Sequence, residues 1–221
     1  MNIDSIVEMQ VADDLAEEQA ARPTIRGNIP LPTRDYGPLQ GRMVTFDHLG
    51  DDRDHVAMVF DAPEPTEAPL VRIHSECLTG DVFGSLRCDC GEQLHAALHR
   101  FAAEGGVLLY LRQEGRGIGL KAKIDAYHLQ DSGLDTFAAN EHLGFPADAR
   151  DYRVAARMLE ALGIKRIRLL SSNPEKCAGL EAGGIEVSEQ VAHDQPAGQW
   201  NQRYLEAKAV RFGKIRKARK G

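Results

Sequence analysis

The sequence has no run of about 18 uncharged apolar residues, the length that a helix needs to cross a bilayer. It also lacks the basic and then apolar order of a secretory signal, because its opening, MNIDSIVEMQVADDLAEEQAAR, is acidic. We therefore expect a cytoplasmic protein that makes no use of a membrane.

An excess of basic residues is missing as well. Lys and Arg number 27 against 33 Asp and Glu, which gives a net charge of −6. A dedicated DNA or RNA binder would carry an overall positive field, so we expect no nucleic-acid partner. Any anionic substrate must then be met by a local group of cations.

Cysteine is scarce but unevenly placed. Three of the four cysteines, Cys77, Cys88 and Cys90, fall within CLTGDVFGSLRCDC. This spacing is poor for disulfides, and a reducing compartment favours metal binding. Structural zinc sites normally use four ligands, so three thiolates leave a position open for water, whose pKa zinc lowers toward about 7. Two alternatives stay open: three buried thiols without metal, or Cys177 as a fourth ligand that makes the site structural.

The hydrophobic share of 43% and the charged share of 27% are typical of a globular protein. Strand patterns occupy MVTFDH, HVAMVF and LVRIHSE, and we expect them to pair in antiparallel fashion. Beyond Gly91, helices alternate with the strand runs VLLYLR, IRLLSS and IEVSE, and this alternation implies parallel pairing. The sequence thus predicts an α/β (α+β) fold: a mixed β-sheet with a β-rich N-terminal half and an alternating strand/helix C-terminal half.

The helices of the second half have recognisable ends. They are predicted from Gly91 to the Gly105-Gly106 pair, from the glycine loop to about Gly133, from Arg153 to Leu162, and from Asn173-Pro174 toward Gly183-Gly184. Glycine after the last turn and proline in the first turn are the usual signals for such boundaries.

The two ends of the chain carry no clear chemistry. We divide the sequence into an acidic N-terminal extension (1–27), a main domain (28–190) and a basic C-terminal segment (191–221). The extension is compatible with a short helix after Asp4 or Ser5. The final RFGKIRKARKG carries six basic side chains in eleven residues, which is typical of a solvated end, and a phosphate-attracting arm is the alternative.

Two strand-to-helix junctions have features of anion sites. QEGRGIGLK places Gly115, Gly117 and Gly119 where backbone N–H groups can turn toward an anion, with Arg116 and Lys123 nearby. It matches neither the P-loop nor the dinucleotide pattern, and an ordinary tight turn explains it equally well. SSNPEK has cap residues, a proline and a lysine at a helix start, which fits either a phosphate site or a capped helix alone.

Two further pairs invite a chemical interpretation. His74-x-Glu76 beside a cysteine resembles part of the zinc deaminase signature, in which Glu shuttles protons. The match is incomplete, because the expected Pro-Cys-x-x-Cys is absent and the chain reads Arg87-Cys-Asp-Cys. Taken alone, a histidine at position 74 is more often a strand residue satisfied by a hydrogen bond. Asp148 and Arg150, on either side of Ala149, have the spacing of a solvated charge pair.

Five long segments, in order, resemble one enzyme family. They are RIHSECLTGDVFGSLRCDCGEQL, LLYLRQEGRGIGLKAKIDAY, LQDSGLDTFAAN, LGFPADARDY and LLSSNPEK. Together they are similar to GTP cyclohydrolase II, from about Pro32 to Val187. The resemblance implies hydrolysis of GTP to 2,5-diamino-6-ribosylamino-4(3H)-pyrimidinone 5′-phosphate, formate and diphosphate, the first step of riboflavin biosynthesis. It also implies use of Zn²⁺ and Mg²⁺ and a homodimer.

The resemblance assigns roles to particular positions. Cys77, Cys88 and Cys90 match the zinc ligands, and Tyr127 matches a tyrosine associated with ring opening. The positions that match GTP-binding residues are Arg72, Ile73, His74, Ser75, Glu76, Gln93, Glu114, Gly115, Arg116, Thr136, Ser171 and Lys176. Arg150 corresponds to the residue proposed as nucleophile on the α-phosphorus, and Asp148 to its proton acceptor.

Guanidinium is an unusual nucleophile, since its pKa exceeds 12 and its lone pair is delocalised. Stabilisation of the charge on the transferring phosphoryl group is therefore an alternative role for Arg150.

The chain departs from the family pattern in a few places. Ser171 stands where threonine is common and keeps the hydroxyl, whereas QVAHDQP after Glu189 replaces an Arg-Val-Pro-like stretch. Three other functions stay open: a paralogue that stops at the formamide intermediate, a nucleobase deaminase, and a non-catalytic protein with structural zinc and a nucleic-acid-binding tail. The presence of Tyr127 argues against early stopping.

Overall fold

A computed structural model describes residues 22–33, 36, 41–193 and 202–211. The predicted N-terminal helix after Asp4 or Ser5 and the basic tail beyond residue 211 lie outside these residues.

One seven-stranded sheet forms the centre of the described protein, in the order β1-β2-β3-β5-β4-β6-β7. Its strands are β1 Thr24–Leu31, β2 Gly41–Asp47, β3 Val56–Phe60, β4 Leu70–Ser75, β5 Gly106–Leu111, β6 Arg166–Leu170 and β7 Glu186–Val191. The described helices are α1 Leu78–Asp81, α2 Cys90–Glu104, α3 Leu120–Asp131, α4 Thr136–His142, α5 Arg153–Ala161, α6 Pro174–Ala182 and α7 Gln202–Arg211, with a 3₁₀ turn at Glu114–Gly117.

The pairing confirms a mixed sheet. Antiparallel pairing joins β1 to β2, β2 to β3 and β3 to β5. Parallel pairing joins β5 to β4, β4 to β6 and β6 to β7. The expectation that LVRIHSE pairs antiparallel is wrong, because β4 runs parallel to both of its neighbours. A parallel neighbour requires a long crossover, and the segment containing α1 and α2 supplies it between β4 and β5.

Some elements were not predicted from the sequence. The strand β1 reads TIRGNIPL, and its Gly, Asn and Pro are poor strand formers. It is an edge strand that pairs only with β2 among the described strands, and it begins at Thr24, inside the segment assigned to the N-terminal extension. The helix α4 is short, and Asp135 caps it by accepting hydrogen bonds from the Phe137 and Ala138 N–H groups.

The hydrophobic core lies on both faces of the sheet. Val71 and Ile73 of β4 face the core that contains Met158 of α5, whereas Leu70 faces the core that contains Phe101 of α2. Successive strand residues point to opposite faces, so Arg72 and His74 share the α2 side with Leu70. The alternation of β4 thus places two buried basic side chains beside α2. None of the described helices combines the length and apolar character required to span a bilayer.

Candidate active site

The site forms where three parallel strands end. β4 leads into Glu76 and Cys77, β5 into the glycine loop that starts at Gln113, and β6 into Ser171. In open α/β sheets, the carboxyl ends of parallel strands are where ligand-binding loops converge. Here the convergence brings the cysteine segment and both predicted anion loops to one edge of the sheet.

The three clustered cysteines meet at this edge. Cys77 lies at the N-terminus of α1, Cys88 just before α2, and Cys90 in the first turn of α2. Their sulfurs all lie within 4.8 Å of one another, with 3.6 Å between the Sγ atoms of Cys77 and Cys88. A tetrahedral ion with metal–sulfur bonds of about 2.3 Å holds its sulfurs roughly 3.8 Å apart, so this donor set fits such an ion.

The described residues supply three ligands for such an ion, because no further Cys, His, Asp or Glu among them belongs to the cysteine cluster. Cys177 lies on α6 and packs against the core that contains Met158. The structure therefore does not bring it to the cysteine cluster as a fourth ligand. The arrangement leaves room for a ligand that the described chain does not supply.

Two glycines allow the cysteine segments to come this close. A Cβ at Gly80 would lie 3.0 Å from the Cys88 sulfur and 3.3 Å from the Cys77 sulfur. A Cβ at Gly91 would lie 2.4 Å from the carbonyl oxygen of Gly80. Glycine at both positions therefore lets α1 pack directly against the start of α2. This packing brings the three cysteine sulfurs together.

Two buried carboxylates hold the Cys77 loop. Asp81 accepts hydrogen bonds from the Cys77 N–H at 3.0 Å and from the Tyr110 hydroxyl at 2.8 Å. Glu114 accepts from the Leu78 N–H at 2.7 Å and from the Lys123 ammonium at 2.8 Å. The glycine loop is thus tied to the cysteine loop through the Glu114 side chain.

The thiols carry unequal affinity for protons. Hydrogen bonds from Cys88 and Cys90 lower the pKa of Cys77, burial opposes this, and the Lys123 ammonium, 3.2 Å from the Cys77 sulfur, lowers it further. The hydrogen bond to Cys77 and burial raise the pKa of Cys88 to about 12. Because the pKa values of Cys88 and Cys90 are raised, binding of a metal ion to all three sulfurs displaces protons from these two thiols.

Replacing Glu114 by glutamine is expected to loosen this arrangement. The amide keeps only one acceptor oxygen, so either the Leu78 N–H or the pair formed by Gly115 and Lys123 loses its acceptor. A buried donor left unpaired costs about 1–3 kcal/mol, and such supporting contacts change metal affinity about 10–100-fold. We expect a lower free energy of unfolding in urea and weaker zinc binding in competition with a chelator.

Glu104→Gln, on the exposed end of α2, is the matched control and should change neither quantity. Zinc affinity equal to that of the unaltered protein in Glu114→Gln would show that the carboxylate does not support the cluster.

The three clustered cysteines line a cavity. Its wall includes Tyr127, whose hydroxyl lies 3.2 Å from Oγ1 of Thr79, and Thr79 in turn lies 3.7 Å from the Cys77 sulfur. Burial raises the pKa of Tyr127 above its ordinary value. A neutral phenol therefore faces this cavity near the thiols. We refer to it as the metal cavity.

A second cavity adjoins the first and is lined by cations. Its basic side chains are Arg72, Arg116, Arg150 and Lys176, and no carboxylate of the described residues lines it. Nε of Arg72 and Nη1 of Arg116 are buried without a hydrogen-bond partner in the described part of the chain. Buried donors of this kind are completed by an anionic ligand. We call this the basic cavity.

The two cavities form one site. Five residues line both: Ser75, Cys90, Arg116, Arg150 and Tyr204. A ligand with a ring at one end and negative charge at the other would span them.

Arg150 stands at the junction with its carboxylate partner. Its Nε donates to Oδ1 of Asp148 at 2.8 Å, and its Nη2 donates to Oδ2. Burial acts against ionisation, but Arg150 and Arg116 hold the pKa of Asp148 below its usual value. Burial would also lower the pKa of Arg150, yet Tyr152 and Asp148 raise it overall. The pair is therefore a fixed, ionised unit rather than the solvated pair that the spacing alone suggested.

The structure brings most of the predicted site residues together. Arg72, His74, Ser75, Gln93, Ser171 and Lys176 line the basic cavity, and Glu76, Glu114, Gly115, Tyr127 and Thr136 line the metal cavity. Ile73 is different, because its side chain is fully buried in the core and its carbonyl oxygen accepts a 2.7 Å hydrogen bond from Lys176.

The His74-x-Glu76 pair does not form a deaminase site. Nε2 of His74 lies 3.0 Å from Asp81, and His74 is outside the thiol group. Glu76 accepts a hydrogen bond at 2.9 Å from Arg112 at the edge of the metal cavity. His74 is thus the satisfied strand residue that was the alternative interpretation.

The glycine loop differs in part from the anion cradle suggested by its pattern. The N–H of Gly115 donates to Oε1 of Glu114, and the N–H of Gly119 donates to the Glu114 carbonyl. The loop instead turns Arg116 into both cavities, with Arg116 in the left-handed region at a φ of 62°.

Several residues of the site were not identified from the sequence. Thr79, Asp81, Asn140 and Tyr204 had no assigned role, and Lys123 was noted only as a loop cation. Asp81 and Thr79 lie within LTGD, directly after the first cysteine, and that proximity was the available signal. For Tyr204, near the end of the chain, the sequence offers no comparable local signal.

Comparison with known proteins identifies one family. The family model described as GTP cyclohydrolase II matches residues 24–192. The chain is 50% identical over 191 residues to GTP cyclohydrolase-2 of Vibrio cholerae, covering 86% of this chain and 96% of that protein. It is 48% identical over 192 residues to GTP cyclohydrolase-2 of Aliivibrio fischeri, with the same coverage of both chains.

A longer relative matches over part of its length. The chain is 52% identical over 188 residues to riboflavin biosynthesis protein RibBA of Bacillus mycoides, covering 85% of this chain and 47% of that protein. On the family match and on these identities over nearly the whole of the shorter relatives, the chain belongs to the GTP cyclohydrolase II family.

Proposed function

We propose that the protein hydrolyses GTP to 2,5-diamino-6-ribosylamino-4(3H)-pyrimidinone 5′-phosphate, formate and diphosphate, in the first step of riboflavin biosynthesis. The observation that carries this proposal is the junction of the metal cavity with the basic cavity through five shared residues. GTP has a purine ring at one end and a triphosphate at the other, so it matches the chemistry of both cavities. The relatives named for GTP cyclohydrolase and for riboflavin biosynthesis support the same reaction.

One zinc ion per subunit is the metal we propose for Cys77, Cys88 and Cys90. Sulfur ligands select soft or borderline ions, and three protein ligands are usual in catalytic zinc sites. The sulfur separations of 4.8 Å or less support the choice. When bound, zinc supplies Lewis acidity that makes water a nucleophile near neutral pH, and here the target is C8 of guanine.

Tyr127 is the residue we propose for handling protons during ring opening. Its hydroxyl is held by Thr79 on the wall of the metal cavity, and its raised pKa keeps it protonated near neutral pH. A fixed hydroxyl at that place can orient water or the formyl group before formate leaves. This role agrees with complete hydrolysis rather than a halt at the formamide.

The triphosphate is proposed to lie in the basic cavity with Mg²⁺. Arg72 is buried, and burial lowers its pKa to about 10, so it stays charged. Its Nη2 donates to Gln93 at 2.7 Å, which leaves Nε for a phosphate oxygen. The substrate contacts proposed are Arg72, Ile73, His74, Ser75, Glu76, Gln93, Glu114, Gly115, Arg116, Thr136, Ser171 and Lys176. Of these, Ile73 and Glu114 are engaged with the protein itself and act by holding the site.

Arg150 is proposed to stabilise the α-phosphoryl group while water attacks the α-phosphorus and diphosphate leaves, which gives the 5′-monophosphate. The bidentate contact with ionised Asp148 keeps the guanidinium charged, and a charged guanidinium has no free lone pair for attack. Arginine commonly stabilises the charge of a transferring phosphoryl group. Asp148 then orients Arg150 instead of accepting its proton.

The remaining assignments follow from the family and the chemistry. We propose that residues 28–190 form the main part of the catalytic domain, between the acidic segment 1–27 and the basic segment 191–221. The start of β1 at Thr24 and Tyr204 of α7 extend this domain at its two ends. We also propose a homodimer that works in the cytoplasm, where a reducing environment keeps the thiols available for metal.

Product analysis tests the proposal. Zinc-loaded protein incubated with GTP and Mg²⁺ is expected to release formate and diphosphate together and to leave the ring-opened monophosphate, identified by mass spectrometry. The metal-free protein is the control and should release no formate. A zinc-loaded sample that releases no formate contradicts the proposal; a product that keeps the formyl group would indicate the formamide-forming paralogue, and ammonia would indicate a deaminase.

A further inference from the structure

Tyr204 occupies an unexpected place in the site. It lies on α7, beyond the segment 24–192 that matches the family model. It nevertheless lines both the metal cavity and the basic cavity, at the junction where Arg116 and Arg150 also lie. Burial raises its pKa well above the ordinary value, so its hydroxyl stays neutral. The C-terminal segment therefore contributes directly to the wall of the site.

The neighbour of interest for Tyr204 is Arg116. The guanidinium carbon of Arg116 lies 4.0 Å from the centre of the Phe137 ring and 5.8 Å from the centre of the Tyr204 ring. Both distances are within the range of cation–π attraction. Phe137 belongs to α4 and Tyr204 to α7, and these two helices contact each other. Arg116 is thus held by rings from two helices.

Arg116 also has an incomplete set of hydrogen bonds. Its Nη1 is buried and has no hydrogen-bond partner in the described part of the chain, and it lies 3.7 Å from Oδ2 of Asp148. Its backbone has a φ of 62°, which is unusual for a residue with a Cβ. A cation in a strained backbone conformation with an unused buried donor is set up to receive an anion.

We propose that Tyr204 is a positioning residue: it holds the Arg116 guanidinium over the junction so that Nη1 meets the phosphate end of the nucleotide, and α7 covers the site there. The inference rests on the proposed function, because it takes GTP as the ligand. The aromatic ring holds the guanidinium, so phenylalanine at position 204 should preserve GTP binding, whereas alanine should weaken it.

The test compares Tyr204→Ala and Tyr204→Phe in the full chain. The readouts are KM and kcat for GTP and the dissociation constant of a GTP analogue with an α,β-methylene bridge, measured by calorimetry with Mg²⁺. We expect Tyr204→Ala to weaken analogue binding and raise KM by about tenfold, with a smaller change in kcat. For Tyr204→Phe, KM and the dissociation constant of the analogue should stay within about twofold of the values for the unaltered protein.

A double-mutant cycle separates positioning from general packing. Tyr204→Ala should have less than about a twofold effect on analogue binding when Arg116 is already glutamine, because the ring then has no cation to hold. Glu206→Gln, at an exposed position of α7, is the control and should change nothing. All four single variants, Tyr204→Ala, Tyr204→Phe, Arg116→Gln and Glu206→Gln, should remain folded at the assay temperature, which thermal unfolding followed by circular dichroism checks.

Three results would overturn the inference: unchanged affinity in Tyr204→Ala, equal losses in the alanine and phenylalanine variants, or additive effects in the cycle. Each is distinct from failure of the proposed function, which would appear as an unaltered protein that makes no formate from GTP.

Discussion

Replacing Cys88 by serine is expected to give a folded protein that has lost its zinc and releases no formate from GTP. The Cys88 sulfur lies 3.6 Å from that of Cys77 and is one of only three donors in the described group. Serine cannot supply a thiolate, so two sulfurs remain and the ion is no longer held. Under the proposed function, loss of the metal removes the Lewis acid that activates water for ring opening.

The fold should survive because it does not depend on the thiol cluster. Cys88 belongs to neither of the two hydrophobic cores that pack on the faces of the sheet. A structural zinc site behaves differently, since its metal-binding energy is folding energy and loss of a ligand unfolds the domain. The variant therefore distinguishes a catalytic site from a structural one.

Three measurements check this prediction: metal content by mass spectrometry, thermal unfolding by circular dichroism, and formate release. Cys177→Ser is the matched control, because it makes the same chemical change at a half-buried cysteine on α6. We expect it to keep zinc and activity. Unfolding of Cys88→Ser, or formate release at the unaltered rate, would refute the assignment.

Replacing Arg150 by alanine is expected to reduce diphosphate release by about 10³-fold or more, the usual scale for an arginine that stabilises phosphoryl transfer. The guanidinium lies at the junction of both cavities and is fixed by Asp148, so its loss removes a cation that water cannot replace in the same geometry. Formate release should fall as well if the phosphoryl step comes first.

A neighbouring pair provides the control. Arg153 contacts Asp151 with the same sequence spacing as Arg150 and Asp148, but its side chain is 77% exposed. Arg153→Ala should therefore retain activity within about twofold, since exposed ion pairs contribute little. Unchanged diphosphate release by Arg150→Ala would exclude both roles considered for Arg150, and a covalent nucleotide on Arg150 in acid-quenched enzyme would contradict the electrostatic role.

Local sequence information was enough to predict the cluster of three cysteines and most strands. Cys77, Cys88 and Cys90 are close in sequence, so their spacing alone indicated a shared ion. Strand-like patterns located β2 to β4 and β6 to β7, and a short buried apolar run located β5, because burial in a sheet selects apolar and β-branched residues. The direction of β4 was wrong, since the pattern of one strand does not reveal which neighbours it will pair with.

Contacts between distant segments could not be predicted. Glu114 matches a substrate-binding position, yet its carboxylate binds Leu78, 36 residues earlier in the chain. The need for glycine at positions 80 and 91 arises only when α1 packs on α2. Tyr204 reaches Arg116 only through the contact of α7 with α4. In each case the information lies in tertiary packing rather than in a local motif.

The most direct test of the catalytic-metal assignment is zinc X-ray absorption spectroscopy on active protein. We predict three sulfur ligands at about 2.3 Å and one light-atom ligand without the multiple scattering of an imidazole ring. A shell of four sulfurs, an imidazole in the fourth position, or full activity in a sample free of metal would contradict the account.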